Sequence, residues 1–215
     1  MYSLAIRSSP ARQAESEKTV TQDQDQDQAR RRPRPGGTRR PFDRVWPAAL
    51  GVLVAAGTMV GLADARDVAP VLAASGFVYV AAAAVGRPGA AWPAFGVTFL
   101  LIGLAKLTGL DATLWTIALA AVLAVVGLAL GRARPAWSLP LQSVAMLVLG
   151  AAALLAVRSD ATAGGLLVAV ALLGHAAWDV YHHRTGRVVG RSLAEFCGVL
   201  DVLLAIALAV VAVAS

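Results

Sequence analysis

The chain predicts an all-α fold: a polytopic membrane bundle of seven transmembrane helices, N-terminus cytoplasmic and C-terminus outside. Three observations predict it. Residues 45–215 carry only nine basic and seven acidic side chains, too few to clothe a water-facing globule. The same stretch breaks into seven apolar runs of near-spanning length. The arginines between those runs alternate in number from loop to loop, as the positive-inside rule requires.

Residues 1–44 form the first expected unit. Thr21–Gln28 alternates Gln with Asp and has nothing to bury, so a disordered tail is expected. It turns basic before the first apolar run, with Arg30, Arg31, Arg32, Arg34, Arg39, Arg40 and Arg44. This cluster holds the tail in the cytoplasm and suits docking on anionic lipid headgroups, worth about 1 kcal/mol per basic residue. The net charge of +6 resides largely here and in short loops, which argues for topology and against a nucleic-acid partner.

The second unit, residues 45–215, holds spans at about 45–63, 68–86, 90–109, 113–131, 138–157, 162–181 and 193–214. A helix needs about 20 residues to cross the hydrocarbon core and satisfies its own backbone hydrogen bonds there. Pro47, Pro70, Pro93 and Pro140 fall near run starts, where a missing N–H is tolerated. Short loops predict that sequential helices pack as antiparallel neighbours. With the tail inside, the inner loops carry Arg87, Arg132, Arg134, Arg184, Arg187 and Arg191, and the outer loops only Arg66 and Arg158. Trp46, Trp92, Trp137 and Trp178 then fall at inner span ends and Trp115 at an outer one, the headgroup levels that tryptophan prefers. The expected location is the plasma membrane, or inner membrane, as a multi-pass protein. Trp46, Trp92 and Trp137 are spaced by 46 and 45 residues, which repeated interfacial anchors explain without internal duplication. Gly57/Gly61 and Gly127/Gly131 are read as helix-packing pairs. Lys106 is expected to snorkel toward Asp111.

One constellation can carry chemistry. His175, Asp179 and His182 recur at i, i+4 and i+7 on the sixth span and form one stripe. Cys197 and Asp201 share a face of the seventh, with Glu195 nearer its start. His175 lies about 10 Å and Asp201 about 15 Å inside the cytoplasmic boundary, so the two helices can present them to each other. An intramembrane acid costs roughly 2.5–3.5 kcal/mol on insertion scales, so it needs a partner or a task. Three readings stay open. The first is a structural lock between two helices, leaving an accessory protein whose basic tail does the binding. The second is a zinc site ligated by His175, Asp179 and His182 and completed by Cys197 or Asp201, with Asp201 or Glu195 as catalytic base against a lipid ester or amide. The third is a small proton-coupled transporter in which Asp201 and His175 exchange the proton.

The tail His175-x3-Asp179-x2-His182-His183 followed by Cys197-x3-Asp201 resembles that of small bacterial multi-pass membrane proteins, over about the last 45 residues; the resemblance implies no activity. Seven-span hydrolases of the ceramidase and progestin-receptor type share the orientation, but spread their metal histidines over several spans. Here the first five spans hold none.

Overall fold

A computed structural model describes residues 41–214, with side chains from residue 45. The expected tail and its cluster Arg30, Arg31, Arg32, Arg34, Arg39 and Arg40 lie outside the described residues, and so does the side chain of Arg44. Among the described residues there is no strand, and the seven expected apolar runs are all helical. The helices are α1 (Pro41–Met59), α2 (Ala65–Val85), α3 (Ala91–Thr108), α4 (Ala112–Ala129), α5 (Leu139–Ala156), α6 (Ala161–Thr185) and α7 (Arg191–Ala214). A single 3-10 turn, Pro88–Ala90, leads into α3.

Six of these, α2 to α7, are long and apolar enough to cross a membrane. The first, α1, is 19 residues long, and its apolar part, followed from Val45 where side chains are described, ends at Met59, four residues before the expected end at 63. At 1.5 Å per residue the whole helix covers about 28 Å against a core of about 30 Å. Its expected extension to residue 63 is cut off at Gly61, whose φ of 78° ends the helix.

Local chemistry explains the other boundaries. Asp64, Asp111 and Asp160 each accept a backbone N–H at the start of α2, α4 and α6. Three of the acids expected in the outer loops are therefore helix caps. At the far end of α6, Gly186 adopts φ 64° and donates its N–H to the His182 carbonyl at 2.7 Å. This cap carries α6 four residues beyond its expected end. The chain then turns back through Val188 at φ 63°, a left-handed conformation that a β-branched residue tolerates only where its surroundings hold it. Val188 and Val189 are buried there.

The arrangement is not a simple sequence of antiparallel neighbours. α6 and α7 do form a long hairpin, the largest interface in the bundle. But α2 is a central column, touching α3, α4, α5, α6 and α7. Its Ala, Ser and Gly side chains explain why, since small residues let helix backbones approach closely. At Gly76 a Cβ would sit 2.6 Å from the Met146 sulfur of α5. α1 packs against α3 and α7: Trp46 meets Trp92 at 5.2 Å, and a Cβ on Gly51 would lie 2.7 Å from the Phe196 carbonyl oxygen. The packing glycines are thus largely not the expected ones. Of Gly57, Gly61, Gly127 and Gly131, only Gly127 meets a neighbour closely, at Leu139 and Ala84.

Candidate functional site

Three helices meet at a buried polar cluster, and each contributes a pair at i, i+4 spacing. From α6 come His175 and Asp179, and from α7 Cys197 and Asp201. The third pair, Ser75 and Tyr79, comes from α2. The helical period places both members of each pair on one face, and the α6–α7 hairpin closed against α2 brings the three faces together. All six side chains are buried, with Asp179 and Asp201 fully shut off.

His175 is the hub. Its Nδ1 lies 2.7 Å from Asp201 Oδ2 and 3.3 Å from Asp179 Oδ2. The Tyr79 hydroxyl donates to the other oxygen of Asp179, Oδ1, at 2.6 Å, and the Ser75 hydroxyl donates to Asp201 Oδ1 at 3.3 Å. Each carboxylate therefore turns one oxygen toward the imidazole and has the other held by a hydroxyl from α2. Two buried atoms at this point lack a hydrogen-bond partner among the described residues: Asp179 Oδ2 and His175 Nε2. Buried polar atoms are paired in the great majority of cases, and an orphan commonly marks a missing ion or water.

His175, Asp179 and Asp201 can each present one ligand atom within 4.8 Å of the others. Two of the other expected ligands are placed differently. His182 is buried on the same stripe, but its Nδ1 lies 3.0 Å from the Trp178 carbonyl oxygen, to which an Nδ1–H would donate, and its ring stands edge-on to Tyr79 at 4.9 Å between centroids. Cys197 is buried beside the cluster and stays outside the converging group. Asp201, expected as a completing ligand or as a base, stands among the convergent residues. Glu195 is half-buried, with no hydrogen bond or ion pair among the described residues.

Sequence reasoning missed Ser75 and Tyr79. The signal was available: they are the i, i+4 polar pair in a run otherwise made of Ala, Val, Gly, Phe and Leu. Gln142 was missed too. It is fully buried, accepts from the Trp178 indole at 3.2 Å and donates to the Trp137 carbonyl at 3.1 Å. This clamp fixes the end of α6 next to the cluster, and Arg187 lies over the Trp137 ring at 5.0 Å.

No protein family, curated protein or solved structure matches the chain.

Proposed function

We propose that this integral membrane protein binds one divalent cation, zinc as the first choice, through His175 Nδ1, Asp179 Oδ2 and Asp201 Oδ2. The observation that carries this reading is the convergence of those three atoms, with both carboxylate oxygens 2.7 and 3.3 Å from the imidazole nitrogen, deep between apolar helices. Charge balance supports it. Two carboxylates and a neutral imidazole sum to −2, and a divalent ion cancels that charge where no water can. The donor set supports it as well, since imidazole and carboxylate oxygen are both zinc ligands. Tyr79 and Ser75 then hold the outer oxygens of the two acids, which is how outlying hydrogen bonds orient metal-ligating carboxylates. In this reading Asp201 is a ligand instead of a base, and His182, Cys197 and Glu195 stand outside the coordination sphere.

A second reading rests on the 2.7 Å separation of His175 and Asp201, the length of a direct charge-assisted hydrogen bond. There the cluster stores a proton, as in a small proton-coupled transporter. Elemental analysis of the gently extracted full chain separates the two. The metal reading expects stoichiometric metal, lost in Asp201→Asn and kept in Glu195→Gln. Wild-type protein free of stoichiometric metal overturns it in favour of the proton store.

The orientation belongs to the same proposal. The uneven loop arginines support a cytoplasmic N-terminus and an outside C-terminus in the plasma or inner membrane. The residues from Arg30 to Arg44 supply the charge for docking on anionic headgroups.

A further inference from the structure

Beside the polar cluster, α1 and α3 part company. At one end they touch through Trp46 and Trp92, and Phe95 closes on Phe196 of α7 at 4.7 Å between ring centroids. Away from that aromatic floor the two helices leave a cleft of about 500 Å³, backed by α2 and α7. Its wall along α3 runs from Phe95 to Lys106, a length of about 16 Å. The lining is overwhelmingly apolar, and Ser75 and Cys197 are among its deep residues. The cleft therefore reaches the rear of the His175 cluster.

Two glycines give the cleft its width. Gly57 on α1 and Gly103 on α3 both line it, and a Cβ on either would meet nothing within 4 Å. Their absent side chains serve no helix contact, unlike those of Gly51 and Gly76. At the mouth stands Lys106, exposed and without the expected partner: among the described residues it makes no ion pair with Asp111. Lys106 also lines a second, polar depression of about 440 Å³, shared with Arg66, Asp67 and Asp111. Arg66 there is paired with Asp64 at 2.9 Å, and Asp67 and Asp111 are engaged in capping. Lys106 is the cation left over.

We infer that this cleft binds one acyl chain of an anionic phospholipid from the leaflet that holds Lys106, with the lipid phosphate on the Lys106 ammonium. A blind apolar trough with a single free cation at its rim matches an amphiphile with one buried tail. The adjoining depression gives room for a headgroup larger than a carboxylate. The Lys106 ammonium, which makes no ion pair among the described residues, selects the phosphate, and the aromatic floor sets how deep the tail can reach. The inference is independent of what occupies the His175 cluster.

The full chain, reconstituted in phosphatidylethanolamine vesicles with a trace of phosphatidylglycerol bearing a diazirine near the end of one acyl chain, tests it. After illumination, adducts should concentrate on cleft residues of α1 and α3. Gly57→Leu and Gly103→Leu fill the space and should cut those adducts roughly tenfold, the effect of about 1.4 kcal/mol in affinity. Lys106→Glu should cut them by a similar factor while Lys106→Arg restores them. Adducts at Leu147, a lipid-facing residue of α5, should stay constant throughout and serve as the folding control. Lys106 lies on an exposed helix end, so its variants decide the matter even where a glycine variant fails to fold. Adducts spread evenly over the lipid-facing surface and indifferent to Lys106 would overturn the inference, leaving ordinary bilayer contact. Chain-to-chain cross-links at the cleft in place of lipid adducts would overturn it in favour of a second copy.

Discussion

Helices α2 and α4 are almost equally apolar, with mean hydropathy of 2.0 and 2.2, yet 83% of the most apolar 18 residues of α2 are buried inside the bundle and only 28% of those of α4. Hydropathy separates oil from water; inside oil it no longer ranks one helix over another. Residue size and hydrogen bonding take over. α2 is built of Ala, Gly, Ser and Val, and five helices can reach its backbone. α4 presents Leu, Val and Trp outward, with Val125 66% exposed and Trp115 52% exposed. The polar side chains follow the same division. Tyr79 and Ser75 of α2 reach carboxylates on α6 and α7, while the outward face of α4 is apolar along its length.

Removing the shared imidazole from the interior should have the largest consequence. His175→Ala leaves Asp179 and Asp201 facing each other without the imidazole that both approach, and removing one partner from a buried ionic cluster costs about 3–5 kcal/mol. Unfolding of the purified protein in mixed detergent, followed by tryptophan fluorescence, measures this. A loss below about 1 kcal/mol would mean that the cluster is not charged in the folded state.

Adding bulk sharpens the comparison between the two helices directly. Ala73 of α2 is fully buried, so Ala73→Leu should destabilise by about 1–3 kcal/mol through overpacking. The lipid-facing Val125→Leu in α4 should change stability by less than about 0.5 kcal/mol. Equal effects at the two positions would remove the distinction between a central column and a lipid-facing helix.

A smaller effect is expected at Tyr79. Tyr79→Phe deletes one hydroxyl and keeps the ring contacts to His175 and His182. Interhelical hydrogen bonds in membrane proteins are worth about 0.6–1.7 kcal/mol, which sets the expected loss in the same unfolding assay. A neutral outcome would show that Asp179 keeps its orientation without the hydroxyl from α2.

The α6 and α7 residues of the cluster were legible because i, i+4, i+7 spacing and intramembrane cost both act within a single helix. His175, Asp179 and Asp201 needed no tertiary knowledge beyond a short antiparallel loop. The role of His182 was not legible, since a ring nitrogen can turn to its own helix carbonyl, here that of Trp178, as readily as toward a shared site. The share of α2 in the cluster is not legible either, although its i, i+4 pair is plain in the sequence, because nothing local says which distant helix two hydroxyls will face. Gly57 and Gly127 sit in similar small-residue pairs; one borders open space and the other a tight crossing.

By itself the sequence determined the apolar surroundings, the seven helical segments, most of their ends and the place of each ionisable group along its helix. Each of these follows from chain-local quantities: length, hydropathy, capping and period. Only the tertiary structure decided that α2 stands at the centre, that α1 lies across α3 and α7 with a cleft beside it, and that one imidazole serves two carboxylates. Those outcomes depend on which surfaces fit most closely, and in a medium as apolar as the helices themselves, fit is a property of pairs of helices and cannot be read from either one alone.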